Sequence, residues 1–178
     1  MGGPMFRATR TPISIDTQKI RRVETSSVGR QNLGDGDMST VVIPMHKTSG
    51  GVVGLIQILN TIPENSWAWS ILELWGTGIA PQGMTMQSFE DLIVSSDIGY
   101  PLSWRELVSS ASSLDQIHDC LIVATRSPRA LSRQIVEQDS NPDLLVVIDG
   151  LDSTQWDIRV NEHLDGAEEI KERLASLT

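Results

Sequence analysis

Residues that chemistry could use are few in this chain and widely spaced. Leu144-Leu145-Val146-Val147-Ile148-Asp149 sets a carboxylate at the C-terminal end of an apolar strand, a position that open α/β sheets use for metal or phosphate chemistry. A phosphate site of the P-loop kind also needs the Gly-Lys of G-x-x-x-x-G-K-[ST], and the chain contains no Gly-Lys pair. Asp149-Gly150-Leu151-Asp152 is more economically a turn leaving a sheet. Ser49-x-Gly51-x-x-Gly54 could cradle an anion on backbone N–H groups, with Ser49 standing where a dinucleotide fingerprint has its first glycine. A glycine turn that lets a helix pack closely is the simpler reading. Asp35 and Asp37 begin like a calcium loop, but the third oxygen ligand, the correctly placed glycine and the terminal glutamate are missing.

His118-Asp119-Cys120 gathers a base, an acid and a thiol, yet side chains adjacent in sequence point to different faces and cannot form a nucleophile–base hydrogen bond by themselves. Cys120 reads as a core residue. His46 and His163 would join His118 at a metal only through folding, and three dispersed histidines do not suggest it. Neither Gly-x-Ser-x-Gly nor His-Glu-x-x-His occurs. No catalytic, cofactor or metal residue is therefore expected. Trp67, Trp69 and Trp75 lie close to Met84 and Met86, and Trp and Met are enriched at interface hot spots. They are either core aromatics, in a chain with five Trp but only two Phe and one Tyr, or an exposed binding segment.

The elements that must position these residues divide the chain into a basic N-terminal arm and linker, residues 1–37, and an acidic α+β domain, residues 38–178. In the arm, Ile13 and Ile15 alternate with polar residues as an edge strand would, with Pro12 tolerated at its start. Residues 25–37, ending Gly34-Asp35-Gly36-Asp37, read as a linker or long turn. Val41, Val42, Ile43 and Met45 make a strand. Ser49 then stands as an N-cap before Val52, Val53, Leu55, Ile56, Ile58 and Leu59, which suit a buried helix or, being β-branched in part, a strand. Pro63-Glu64-Asn65-Ser66 breaks that element. An apolar element of either period follows from Trp67 to Trp75, closed by Gly76 and Gly78.

Three capping patterns, Ser88 with Asp91, Ser103 with Glu106 and Ser113 with Gln116, predict a helical middle third after a loop over residues 80–86. Beyond it the pattern is β-α-β-β-α. Leu121, Ile122 and Val123 form a strand, and Ser127-Pro128 opens a helix reaching Asp139 that Asn141-Pro142 stops. Residues 144–148 form a buried strand, Gly150 turns the chain, and Trp156, Ile158 and Val160 alternate as a third strand. Asp165 with Glu168 caps a last helix whose Ala167, Ile170, Leu174 and Leu177 share a face. The expected architecture is a mixed sheet flanked by helices in one compact body, with a flexible arm. If the strands at residues 121 and 144 are parallel neighbours, their crossover should be right-handed.

Charge is distributed unevenly about the net −9. Residues 1–30 hold six of the 14 basic residues, Arg7, Arg10, Lys19, Arg21, Arg22 and Arg30, but only Asp16 and Glu24 of the 23 acidic ones. The arm is thus +4, and the 8 basic and 21 acidic residues left make the body −13. Such a body repels nucleic acid and anionic lipid, so an anionic partner must meet the arm. The arm either folds back on its own body, stays solvated, or docks on the acidic surface of a neighbouring copy. A single cysteine excludes an internal disulfide, which suits a reducing compartment and makes the cytoplasm the expected location. No signal peptide is expected, nor any stretch approaching the roughly eighteen apolar residues of a membrane span.

The strand at residues 40–45, the helix at residues 52–59 and the apolar segment Trp69-Ser70-Ile71-Leu72-Glu73-Leu74-Trp75-Gly76, preceded by a basic arm, resemble the N-terminal half of the core of rhabdovirus matrix proteins. The resemblance covers about a quarter of the chain and includes no diagnostic motif, and the acidic body departs from that usually basic family. It implies a non-enzymatic protein that self-associates and bridges nucleocapsid and membrane, in host cytoplasm and virion. The expectation is accordingly a structural, protein-binding role without cofactor or small-molecule substrate. Its contact residues would be Arg7, Arg10, Arg21, Arg22, Trp67, Trp69, Trp75, Met84 and Met86. Two alternatives stand beside it. One is an acidic bacterial immunity or inhibitor protein that masks a basic toxin through Asp149, Asp152 and Asp157. The other is an enzyme of unrecognised family working through Asp149 or His118.

Overall fold

The computed structural model describes residues 37–178, all of which fall within one compact unit, residues 35–178. The expectations for Arg7, Arg10, Arg21 and Arg22, for the strand near Ile13 and Ile15 and for the linker up to residue 36 lie outside the described residues.

Among the described residues six strands form: β1 Met38–Pro44, β2 Ala68–Gly78, β3 Tyr100–Leu102, β4 Leu114–Thr125, β5 Leu144–Leu151 and β6 Gln155–Asn161. They form one sheet in the order β1-β6-β5-β4-β2-β3, and every neighbouring pair is antiparallel. Four α-helices among the described residues accompany them: α1 Leu55–Leu59, α2 Met86–Ser95 and α3 Trp104–Ser112 between strands, and α4 Ala167–Ala175 after β6. The α+β class is as expected, but the sheet is not mixed. β4 and β5 pair antiparallel, Ile122 opposite Ile148, so no crossover exists and the question of its hand lapses.

The reason lies in residues 126–143. Ser127 and Pro128 do start a turn, the Ser127 hydroxyl accepting from Arg129 N at 3.3 Å, but the turn ends at Ala130 and a second short 3-10 turn follows at Arg133–Glu137. The backbone at Leu131 and Ser132 is extended between them. That break lets Leu131 and Ile135 both bury against Leu72, Val123, Leu144 and Val147. Burial of two large side chains outweighs the few tenths of a kcal/mol per residue that helix propensity offers. The expected helix is therefore a strap of two turns.

Three further corrections come from pairing and one from capping. Ser113 ends α3 instead of starting a helix, and Gln116 pairs with Thr77, because β4 is twelve residues long and continues along the C-terminal half of β2. Gly76 does not close β2; a Cβ there would sit 2.4 Å from Gln116 O, so the glycine lets β4 approach. The turn expected at residues 149–152 falls later. Gly150 is inside β5, where a Cβ would lie 2.9 Å from the Trp156 ring and 3.2 Å from Cys120 Sγ, and the chain reverses at Asp152 and Ser153, φ 47° and 55°. α2 is capped one turn earlier than expected, Thr85 Oγ1 accepting from Ser88 N at 3.1 Å.

The Ser103–Glu106 box is present as read, with Ser103 N donating to Glu106 Oε2 at 2.8 Å. The Ser103 hydroxyl, and then its backbone N–H, hold the Glu106 carboxyl below the usual carboxylate range. α1 covers only part of the expected run: Val52 pairs with His46 as strand, and residues 55–59 are helical. α4 starts at Gly166, φ 81°, not at Asp165, and buries Ala167, Ile170 and Leu174. All four helices contribute to the larger core on one face of the sheet, through Leu55, Phe89, Leu107 and Ile170 against Trp69, Ile122, Ile148 and Trp156. Among the described residues the opposite face carries the strap. This asymmetry creates the site.

Candidate functional site

Antiparallel partners share a face, so the register defines what the strap leaves uncovered. Val42 of β1, Asp157 of β6, Asp149 of β5, Leu121 of β4 and Glu73 of β2 form one row across five strands. Next to it, Trp75 pairs with Asp119. The strap's cluster reaches this row at Leu121. Arg159, whose Nη2 donates to Val136 O at 2.8 Å and which pairs with Asp139, ties the strap down on one side. Arg133 does so on the other, donating to Ile93 O at 2.8 Å and Ser96 O at 3.2 Å with Glu73 4.0 Å away. Beyond these anchors the face presents alternating carboxylates and apolar side chains. Val42 is 51% and Trp75 58% exposed.

The exposure of Trp75 is a product of a β-bulge. Trp69 and Trp75 are six residues apart, and strict alternation would put both on one face. The register slips between Ile71 and Glu73, so the phase inverts. Trp69 points into the main core at 0% exposure, its Nε1 donating to Asn65 Oδ1 at 2.9 Å, and packs between Trp67 and Trp104 with ring centroids 5.9 and 5.4 Å away. Trp67, Met84 and Met86 are half-buried against the same core. Of the five residues expected as a Trp and Met contact segment, only Trp75 stands exposed. Apolar packing claims the other four.

Folding also assembles what sequence could not. His118 lies against Trp75, ring centroids 4.7 Å apart, and its Nδ1 is 3.0 Å from Ser153 Oγ, a residue 35 positions away on the β5–β6 turn. Ser153 N donates to His118 O at 2.8 Å. No sequence signal joins the two, since cross-strand register alone brings them together. The pair is not completed to a triad. Asp119 is turned to the hairpin, its Oδ1 accepting from Asp152 N at 2.9 Å, so it does not orient the imidazole. Cys120 is enclosed below Gly150, and burial pushes its thiol far above the usual range, which removes it as a nucleophile.

The anion reading of residues 49–54 fails locally. Gln57 Oε1 accepts from Gly54 N at 2.9 Å and occupies the position an anion would take. Among the described residues no three His, Cys, Asp or Glu side chains converge as a metal site, His163 lying by Asp37 and His46 pairing with Val52. Nor is any helix among them long and apolar enough to cross a membrane. The outer edge of β2 beyond β3 is covered by α2, where Glu90 Oε1 accepts from Gly76 N at 3.2 Å. Comparison of the chain with protein-family models, with curated proteins and with solved structures finds no match. What the fold and site define is a class: a six-stranded antiparallel α+β domain in which the strap covers one end of a sheet face and Trp75 stands exposed at the other.

Proposed function

We propose that this chain is a non-catalytic, self-associating protein whose contact surface is the open end of the sheet around Trp75. The observation that carries the reading is a large aromatic ring held 58% exposed on β2 beside Glu73 and Asp119. A fixed, amphipathic ring flanked by one sign of charge suits an extended basic partner, the ring supplying buried area and cation–π contact and the carboxylates supplying steering and register. The basic residues Arg7, Arg10, Arg21 and Arg22 of a second copy have the complementary chemistry, which makes assembly of the kind the matrix resemblance implies the first reading. The same surface supports the second reading, an inhibitor of a basic protein, without change of residues.

The test is light scattering of the full chain over a concentration and salt series, beside Trp75→Ala and a chain lacking residues 1–30. Oligomers that grow with concentration, dissolve in salt and disappear in both variants are the expected result. Oligomers indifferent to Trp75 sink the proposed surface. A monodisperse monomer under every condition sinks self-association and leaves the basic-protein inhibitor, to be tested by binding to a basic nuclease.

A further inference from the structure

On the helix-bearing side of the sheet, under the β5–β6 turn, lies a cavity of about 520 Å3. This is within the range of about 300–1,000 Å3 typical of small-molecule sites. Its lining includes Met45, Val53, Leu55, Ile117 and Trp156. The Trp156 Nε1–H is already spent on Val53 O at 2.7 Å, so the indole offers the cavity no donor. One wall is a short hairpin in which His46 pairs with Val52 and Lys47 N donates to Gly51 O at 2.8 Å. Val52, in that wall, is 60% exposed, apolar surface that an occupant would cover.

Polar groups lie in the lining as well. His46, Gln57, Asp115, Gln116 and Ser153 belong to it, and neither Lys nor Arg does. Gln57 Oε1 and Ser153 Oγ are engaged, on Gly54 N and His118. Among the described residues the side chains of His46, Asp115 and Gln116 make no hydrogen bond. Asp115 is the one carboxylate residue of the lining. A phosphate or carboxylate ligand would meet no cation there and would face Asp115.

We infer that this cavity binds a small cationic amphiphile, its apolar body on Trp156, Ile117 and Val52 and its ammonium or amidinium group at Asp115. The inference is independent of the self-association reading, because it uses the other face of the sheet and none of the contact residues proposed there.

Three probes sharing one ring system separate the contributions: 2-naphthylmethylammonium, 2-naphthylmethanol and 2-naphthoate. Each is titrated into the 15N-labelled full chain, and the Trp156 indole N–H and the amides of residues 52–57 and 114–117 are followed by NMR. Saturable shifts confined to these signals are expected, with the cation binding about three- to fivefold more tightly than the alcohol and the carboxylate most weakly, the factor an exposed ion pair provides. Asp115→Asn should erase the preference for the cation and leave the alcohol unchanged. Val52→Ser should weaken all three by a similar factor of about two to three. Both positions are exposed, so the variants fold. Absence of saturable shifts at millimolar probe, shifts centred elsewhere, or a cation preference that survives Asp115→Asn each overturn the inference.

Discussion

The two ends of the strap-bearing sheet face share strands, twist and hydrogen bonding, and differ in what occupies the outward positions. At one end β4 and β5 place Val123, Leu144 and Val147 outward, with Leu72 of β2 beside them, and the chain covers them with Leu131 and Ile135. Two residues further along β5 and β4 the partnered positions are Asp149 and Leu121, with Glu73 beside Leu121 on β2 and Asp119 opposite Trp75 beyond them, and of these it is Leu121 that packs against the strap's cluster. Covering follows the side chains, since β4 and β5 pair through both ends. A carboxylate under a strap would lose its water without a partner, at a cost of several kcal/mol, whereas an apolar residue there gains from the same event. The strap therefore ends where the carboxylates begin.

That contrast can be broken most strongly at the covered end. Ile135→Ala truncates the more deeply buried of the two strap residues and should cost about 2–5 kcal/mol in urea unfolding, as large-to-small core changes do. A loss below about 1 kcal/mol would mean that the strap is not a working part of the core. Intermediate in size is Arg133→Met, which keeps the apolar stem and removes the donors to Ile93 O and Ser96 O. A loss of about 1–3 kcal/mol is expected, with the m-value unchanged. The open end supplies the smallest effect. Val42→Ser should change stability by less than about 0.5 kcal/mol, because this side chain already faces solvent. A larger loss in dilute protein would show that something covers the row in the monomer.

Much of the fold was legible where one local rule dominates. The apolar alternation of β6, the unbroken apolar run of β5, the Ser103–Glu106 box and the buried stripe of α4 each depend on residues within about two turns of one another. The strap was not legible, because Ser127-Pro128 is a sound helix start and only the demand to bury both Leu131 and Ile135 on a sheet formed by distant strands overrules it. The long β4 was missed for a similar reason. Ser113 and Gln116 carry capping chemistry, and the partner that makes residues 114–119 a strand is the glycine-bearing end of β2.

The candidate site shows the same division. Composition and spacing determined that the body is acidic, that known phosphate, metal and hydrolase motifs are missing, and that Trp and Met residues cluster in one stretch. Which tryptophan would be exposed was settled only by tertiary structure. A one-residue slip in register at Leu72 inverts the side-chain phase between Trp69, which points inward, and Trp75, which points outward, and leaves no mark in the local sequence. The meeting of His118 with Ser153, and of Asp115 with Trp156 around one cavity, depends likewise on strand pairing across tens of residues, which is a property of the sheet and not of any segment within it.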